Sequence, residues 1–476
     1  MKILLSDGFH INKRNFKPLF DFLDVKKAQE IRFINNWKEI EFNGAVGNYR
    51  EFADDYVLQK YANKIKTNVD LIANEDSLRK YQYQGIEIWP LIKSELAAFT
   101  IADAYTNKNK YPYTADELFE YHFNEYLNDL ILNYCVACYW IDSFKAREKE
   151  FWQCSAAFVF SGSYIYTKVL LTLLKKSPVK CFVIESSFLG TSFYCDEQYE
   201  HLPNNYLHQY KNYREQAIYK AFDTVKLTND ADKLDYLRSQ ALNKFMGMNN
   251  KNVSQPRPSS VPRLDDISKP SILLVCQVLN DFSILESDGV INSIEHYKKV
   301  IMEILNGTDF NIIVKTHPWE KSKIHLTSSF TLNTLNEFVY SLNDSFKSRV
   351  YLDEDINIYH LFSNVSAVLT YCSQAGIEAA TYGKKVIVNH ECSYANADFT
   401  AVYQSISEIP ELLSSNTDLE VDEFESFLDF MIAFNFMSIG NEQSSIAKLQ
   451  SKLSIAPKLA EYHRSLNETS ISPFYN

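Results

Sequence analysis

Short apolar runs alternate with longer stretches of helical spacing, and the alternation occurs twice along the chain. Residues 2–6 (KILLS) read as a first strand, broken at Asp7-Gly8. Residues 10–80 are mixed and polar, with apolar patches such as 31–37 (IRFINNW). Residues 84–89 (QGIEIW) read as a strand running into a long helix, PLIKSELAAFTIADAY. Residues 115–144 carry apolar side chains at helical spacing. Residues 157–160 (AFVF) predict a strand, Ser161-Gly162-Ser163 a turn, YIYTKVLLTLLKK a helix and 179–184 (VKCFVI) the next strand, ending at Glu185. Strand, helix and strand at this length make a parallel βαβ unit. Residues 216–242 again read as helical.

The pattern stops over 249–270 (NNKNVSQPRPSSVPRLDDISKP), which holds four prolines and no apolar period. It then restarts. Residues 271–278 (SILLVCQV), 311–315 (NIIVK) and 350–352 predict strands, with helices over 290–305, around 338–342 and over 356–363. Residues 367–371 (AVLTY) predict a strand that turns at Cys372-Ser373 into a helix, QAGIEAATY. Gly383 stops that helix, and the strand KVIV follows. Residues 420–465 read as helices. The expected division is an α/β domain over 1–250, a linker over 251–270, a second α/β domain over 271–420 and a helical tail over 421–476 that packs back across the domains. Two doubly wound, Rossmann-like domains facing a cleft, with such a tail, match the GT-B plan of nucleotide-sugar transferases by analogy of architecture. One linker between two domains makes hinge motion the default expectation.

A chain of 476 residues is too long for one ordinary core, which fits two domains. A net charge of −12 argues against a nucleic-acid backbone as partner and leaves room for a local pocket for a small anion. The opening MKILLSDGF has too short an apolar run for an export signal. No apolar run is long enough to span a membrane. The expected location is the cytoplasm, with peripheral attachment at the inner membrane face left open. The eight cysteines are scattered and expected to be reduced. Cys135 and Cys138 fit the buried face of a helix rather than a zinc site, which wants a second pair or histidines nearby.

Candidate chemistry sits where second-domain strands end. Gln277, Asp281 and Ser283 leave the first of them. Lys315, His317 and Pro318 leave the second. Ser373, Gly376 and Glu378 lie in the turn and helix after AVLTY. In a parallel sheet these loops share one edge and converge. Lys315 and His317 offer positive or donor groups. Backbone N–H groups at the helix start by Ser373 suit a phosphate. Glu378 is placed to accept from a ribose hydroxyl. Asp281 has the chemistry to attack or stabilise an oxocarbenium-like centre, and it is equally suited to capping the next helix. In the first domain, Glu185 is a candidate acid/base if burial raises its pKa. A cap or a plain surface carboxylate is the other reading.

The set Gln277…Asp281-Phe282-Ser283-Ile284, Lys315-Thr316-His317-Pro318, Ser373…Gly376…Glu378-Ala379, Gly383…Val386-Ile387 and Tyr394-Ala395…Phe399-Thr400 resembles the bacterial capsule-polysaccharide synthesis family, which includes retaining β-Kdo glycosyltransferases. The resemblance covers about residues 271–400 and is thinner in the first domain, at Glu185 and at Gly85…Trp89-Pro90. It implies a GT-B-like fold, CMP-linked Kdo as donor and retention of the β configuration. Carried over by position, Asp281 is the nucleophile of a double displacement and Glu185 the acid/base. Lys315, His317 and Ser373 hold the phosphate and the sugar carboxylate. Asp398-Phe399-Thr400 and Tyr371-Cys372-Ser373 depart from the family pattern, which bears on the sugar and the acceptor. Another nucleotide sugar (a CMP-sialic acid or a UDP-sugar) and a non-catalytic assembly role stay open, as does a front-face route to retention. The partners expected are the nucleotide sugar, a glycan acceptor on or off a lipid carrier, and other glycan-assembly proteins, with no nucleic acid. No cofactor or metal is expected, since Asp353-Glu354-Asp355 reads as a helix start rather than a cation site.

Overall fold

The computed structural model describes residues 1–34, 47–68, 72–186, 192–201, 238–239, 270–323, 326–395, 397–415, 418–438 and 442–454. The helix expected over 216–242 and the proline-rich linker fall outside these, apart from Arg238, Ser239 and Pro270.

The first half supplies β1 (Lys2–Asp7), β2 (Gln29–Ile34), a small hairpin of β3 (Gln82–Tyr83) and β4 (Ile86–Glu87), then β5 (Ala156–Phe160), β6 (Lys180–Ser186) and β7 (Ser192–Glu197). β2, β1, β5 and β6 lie side by side and parallel. β7 adds antiparallel to β6. The strand order reverses between β1 and β5. The second half supplies β8 (Ser271–Val275), β9 (Asn311–Lys315), β10 (Val350–Asp353), β11 (Ala367–Thr370), β12 (Lys385–Asn389) and β13 (Thr400–Tyr403). Their order is β10-β9-β8-β11-β12-β13, parallel throughout. Every residue of β8, β9 and β11 is buried. That explains why they read as unbroken apolar runs rather than alternating ones. The order reverses between β8 and β11, and open α/β sheets bind ligands outside the strand ends at such a point.

The tail, read as helices, also contains a strand. After the helix Val421–Phe430, β14 (Phe436–Ser438) pairs antiparallel with β7 and completes a six-stranded first sheet. The helix Glu442–Ser454 then sets Leu449 into the first-domain core beside Leu19 and Phe22.

The helix Trp89–Thr106 is buried almost all round. A helix without a one-sided apolar stripe belongs inside a molecule, and this one lies between the two sheets. Ala97 and Ala98 pack with Leu285 and Ile291 of the second domain. Ile101 and Ala102 join the core that holds Ile272 and Tyr297. Backbone bonds Ala115 N to Gly289 O and Ile291 N to Tyr113 O, both 3.0 Å, reinforce the contact. This apolar contact differs from the expected free hinge.

Candidate active site

Gln277 follows β8 and is buried. Its backbone N–H donates to the Tyr297 hydroxyl at 2.8 Å. Its side-chain nitrogen donates to Ser283 Oγ at 2.9 Å and to Asp281 Oδ2 at 3.2 Å, while its oxygen accepts from the Cys372 N–H at 3.2 Å. One side chain therefore ties the loop after β8 to the turn after β11, across the point where the strand order reverses. Asp281 Oδ1 accepts from Ser283 N at 3.0 Å and Ser283 Oγ at 2.7 Å. Asp281 thus caps the helix Phe282–Leu285, and its carboxylate is held in one orientation at the sheet edge.

His317 and Pro318 sit half-buried after β9. His317 Nδ1 accepts from the Trp319 N–H at 3.2 Å, which leaves the ring proton on Nε2. Burial pushes its pKa down to about 4, against the pull of the Asp281 charge. His317 is therefore a neutral donor rather than a positive charge at pH 7. The Lys315 side chain is turned toward the end of β10. Its ammonium donates to the Thr316 carbonyl at 3.1 Å and the Glu354 carbonyl at 2.5 Å. Burial lowers its pKa to about 8, opposed by Asp353, Asp355 and Glu354. The acidic run at the end of β10 draws the ammonium to itself, so Lys315 pins β9 to β10.

Ser373 lies in the turn after β11, and its Oγ accepts from Ala375 N at 3.2 Å. The helix that follows, Ala375–Ala380, is short. Gly376 has a packing reason: a Cβ there would meet the Tyr394 hydroxyl and come within 3.0 Å of Val386. Tyr394 in turn donates to the Ser373 carbonyl. Glu378 is buried, and its charge adds to the upward push that burial gives the Tyr382 and Tyr394 hydroxyls.

Glu185 lies half-buried near the end of β6 and accepts from Ser186 N at 2.8 Å. Burial raises its pKa; the Ser186 N–H, the Ser161 hydroxyl, His10 and Lys323 work the other way. Lys323 belongs to the loop after β9, and its charge also acts on His317. The two domains therefore present charged groups to one another here.

A second group, not among the sequence candidates, lies on this first-domain edge. Asp7, fully buried at the end of β1, accepts from the backbone N–H groups of Phe9 at 2.9 Å and His10 at 2.8 Å. The Tyr166 hydroxyl donates to it at 2.9 Å and the Ser6 hydroxyl at 2.9 Å. His10 Nδ1 lies 3.3 Å from Asp7 Oδ1. Burial works against ionisation of Asp7, yet His10, through its ring and its backbone N–H, and then the Tyr166 hydroxyl hold its pKa down to about 2. The His10 ring stacks on Phe160, centroids 4.4 Å apart, and beside Tyr164 at 5.6 Å. Tyr164 meets Phe282, next to Asp281, edge to face at 5.7 Å. The turn after β5 that carries Tyr164 bends through left-handed Ser161 and Gly162, φ +57° and +83°. The signal in the sequence was the same one used for the second domain, polar residues directly after a buried strand. In the sequence alone Asp7-Gly8 reads only as a strand break. Among the described residues no group of three or more His, Cys, Asp or Glu is placed to hold a metal ion. No described helix is long and apolar enough to cross a membrane.

Residues 197–408 match the family model described as capsule polysaccharide biosynthesis protein. The match takes in somewhat under half of the chain. The capsule biosynthesis match takes in β8 to β13 and every second-domain site residue named above. No curated protein matches the chain in sequence. Among solved structures the chain is similar to the KpsC beta Kdo 2,4 transferase of Thermosulfurimonas dismutans, at 17% identity and TM-score 0.37 over 58% of this chain and 79% of that one. The beta Kdo 2,7 transferase of the same organism's KpsC is similar at 15% identity and TM-score 0.35 over 65% and 90%. A UDP-forming trehalose-phosphate synthase from Burkholderia xenovorans is similar at 10% identity and TM-score 0.41 over 96% and 99%.

Proposed function

We propose that this protein is a glycosyltransferase that moves Kdo from CMP-β-Kdo, with retention, onto a growing bacterial surface glycan. The observation that carries the reading is Gln277, which joins the loops after β8 and β11 where a doubly wound sheet takes its ligand. The capsule biosynthesis match over the same strands supports it. In this reading the CMP phosphate lies over the turn at Ser373, with the Nε2–H of His317 as a donor. Asp281, oriented by Gln277 and Ser283, attacks the anomeric carbon, and CMP departs with the electron pair of the broken bond. An acceptor hydroxyl then displaces the carboxylate, and two inversions give retention. Glu185 serves proton transfer on the acceptor side. Lys315 acts by fixing the β9 edge rather than by touching the donor. No metal or cofactor is needed for these steps. The acceptor glycan is membrane-linked in this reading, with the protein working at the cytoplasmic face of the inner membrane beside other assembly proteins.

Thermal unfolding with CMP, UDP, GDP and ADP at matched concentrations tests the reading. Saturating ligand at about a hundred times its Kd adds about 2.7 kcal/mol, a clear rise in Tm. CMP alone is expected to give it, and His317→Ala to weaken it. A rise with UDP instead would remove the Kdo reading.

A further inference from the structure

We propose that His10, held by Asp7, is the group that takes the proton from the acceptor hydroxyl, which gives the first-domain edge a catalytic residue besides Glu185. This rests on the transferase reading above. The geometry has three parts. First, His10 lies just past β1, and Phe160 beneath it ends β5. The order of the first sheet reverses between these two strands. The site is therefore the first-domain counterpart of the Gln277 site. Second, the ring contacts His10–Tyr164–Phe282, 5.6 and 5.7 Å, lead across the cleft to the residue beside Asp281. The two sheet edges meet at these side chains. Third, Asp7 faces Nδ1 of the imidazole, so Nδ1 carries the proton and Nε2 the lone pair. Among the described residues Nε2 has no hydrogen-bond partner, and the side chain keeps 29% of its surface exposed.

A buried carboxylate behind an imidazole whose other nitrogen is open is the arrangement that makes a base. Asp7 is fixed for this from four sides, by two backbone N–H groups and two hydroxyls. The groups facing His10 are Asp7 on its own loop, Tyr164 and Tyr166 after β5, and Glu185 on β6. Arg32 of β2 reaches toward the neighbouring Gly8. Glu185, whose burial favours its protonated form, is placed to give a proton, and His10, with Asp7 on Nδ1 and Nε2 open, to take one. As the acceptor oxygen bonds to the anomeric carbon, its proton passes to Nε2. The electron pair of the broken anomeric bond leaves with the displaced oxygen.

The test is steady-state release of CMP from CMP-Kdo, with water standing in for the acceptor hydroxyl, alongside CMP-induced stabilisation as a check of fold and donor site. His10→Ala is expected to keep the CMP-induced rise in Tm and to lose turnover by about 10²-fold or more. Added imidazole should recover part of that loss, which it would not do for a residue that only packs. Asp7→Asn is the companion variant. The Ser6 and Tyr166 hydroxyls can turn to accept from the new amide, so the loop holds while the charge behind the imidazole is gone. Its turnover should fall about tenfold or more, with CMP stabilisation retained. CMP stabilisation with His10→Ala turnover within about threefold of the parent, or a loss that imidazole leaves untouched, would overturn this proposal and leave the transferase reading standing. A parent protein that is neither stabilised by CMP nor releases it from CMP-Kdo would remove both.

Discussion

At the scale of single residues, Asp281 carries two readings that one substitution separates. As a cap it needs an oxygen for the Ser283 N–H and hydroxyl. Asparagine supplies that oxygen and caps as well as aspartate does. As a nucleophile it needs the carboxylate itself. Asp281→Asn is therefore expected to cost about 1 kcal/mol or less in stability, while turnover of CMP-Kdo falls by about 10³-fold or more. Unfolding and CMP-release measurements on the same preparation read both. Near-normal turnover in the variant would reduce Asp281 to its cap. The residue scale is also where the sequence was least complete. The second-domain polar residues were legible because each follows an unbroken apolar strand. What their side chains do was not, because it depends on neighbours distant in sequence. Lys315 turns to the Glu354 carbonyl, and Gly376 answers to Tyr394. The Asp7–His10 pair was hidden for another reason: a single Asp-Gly after a first strand reads as punctuation until the sheet order makes it a binding edge.

At the scale of elements, the loop after the Asp281 helix is the part both domains hold. Glu286 and Lys168 form a buried ion pair between the second and first domains, 2.6 Å apart, and Lys168 also donates to Ser94 Oγ at 2.6 Å. Glu391 accepts from the N–H groups of Asp288 and Gly289, each at 3.0 Å. Removing one partner of a buried pair leaves a charge without compensation, whereas removing both need not destabilise. Lys168→Met alone should cost about 3–5 kcal/mol, and Lys168→Met combined with Glu286→Leu should recover most of it. Urea unfolding of the two single variants and the double gives the coupling directly. Additive losses would mean the pair does not bind the loop. Periodicity located most elements in this region: β8, β9, β11 and β12 stand where their apolar runs were read. It missed β2, β7 and β13, which lie in or beside polar stretches, and β14, whose three residues gain strand form only by pairing with β7. Short edge strands draw their structure from a partner rather than from their own pattern.

At the scale of the whole molecule, the helix Trp89–Thr106 decides how far the cleft can move. Hinge closure is the default for two domains when their interface is small and polar. Here the interface has apolar cores shared by both domains, Ala97, Ala98 and Leu118 with Leu285 and Ile291, and Ile101 and Ala102 with Ile272 and Tyr297. The chain also returns through β14, so a second covalent passage ties the first sheet to the second domain. Opening the cleft at this helix would expose those side chains, at roughly 25 cal/mol for each Å² of apolar surface. Donor binding is therefore expected to act on the loops at the strand ends and not on the packing between domains. Hydrogen exchange tests this. Amides of residues 97–102 should be as protected as those of β8, in the range set by global unfolding. CMP should slow exchange in the turns near Gln277, His317 and Ser373 while leaving 97–102 unchanged. Fast exchange at 97–102 in the free protein, slowed by CMP, would mean that the domains part there and close on the nucleotide. The apolar contact would then be a latch made by the donor rather than a fixed joint.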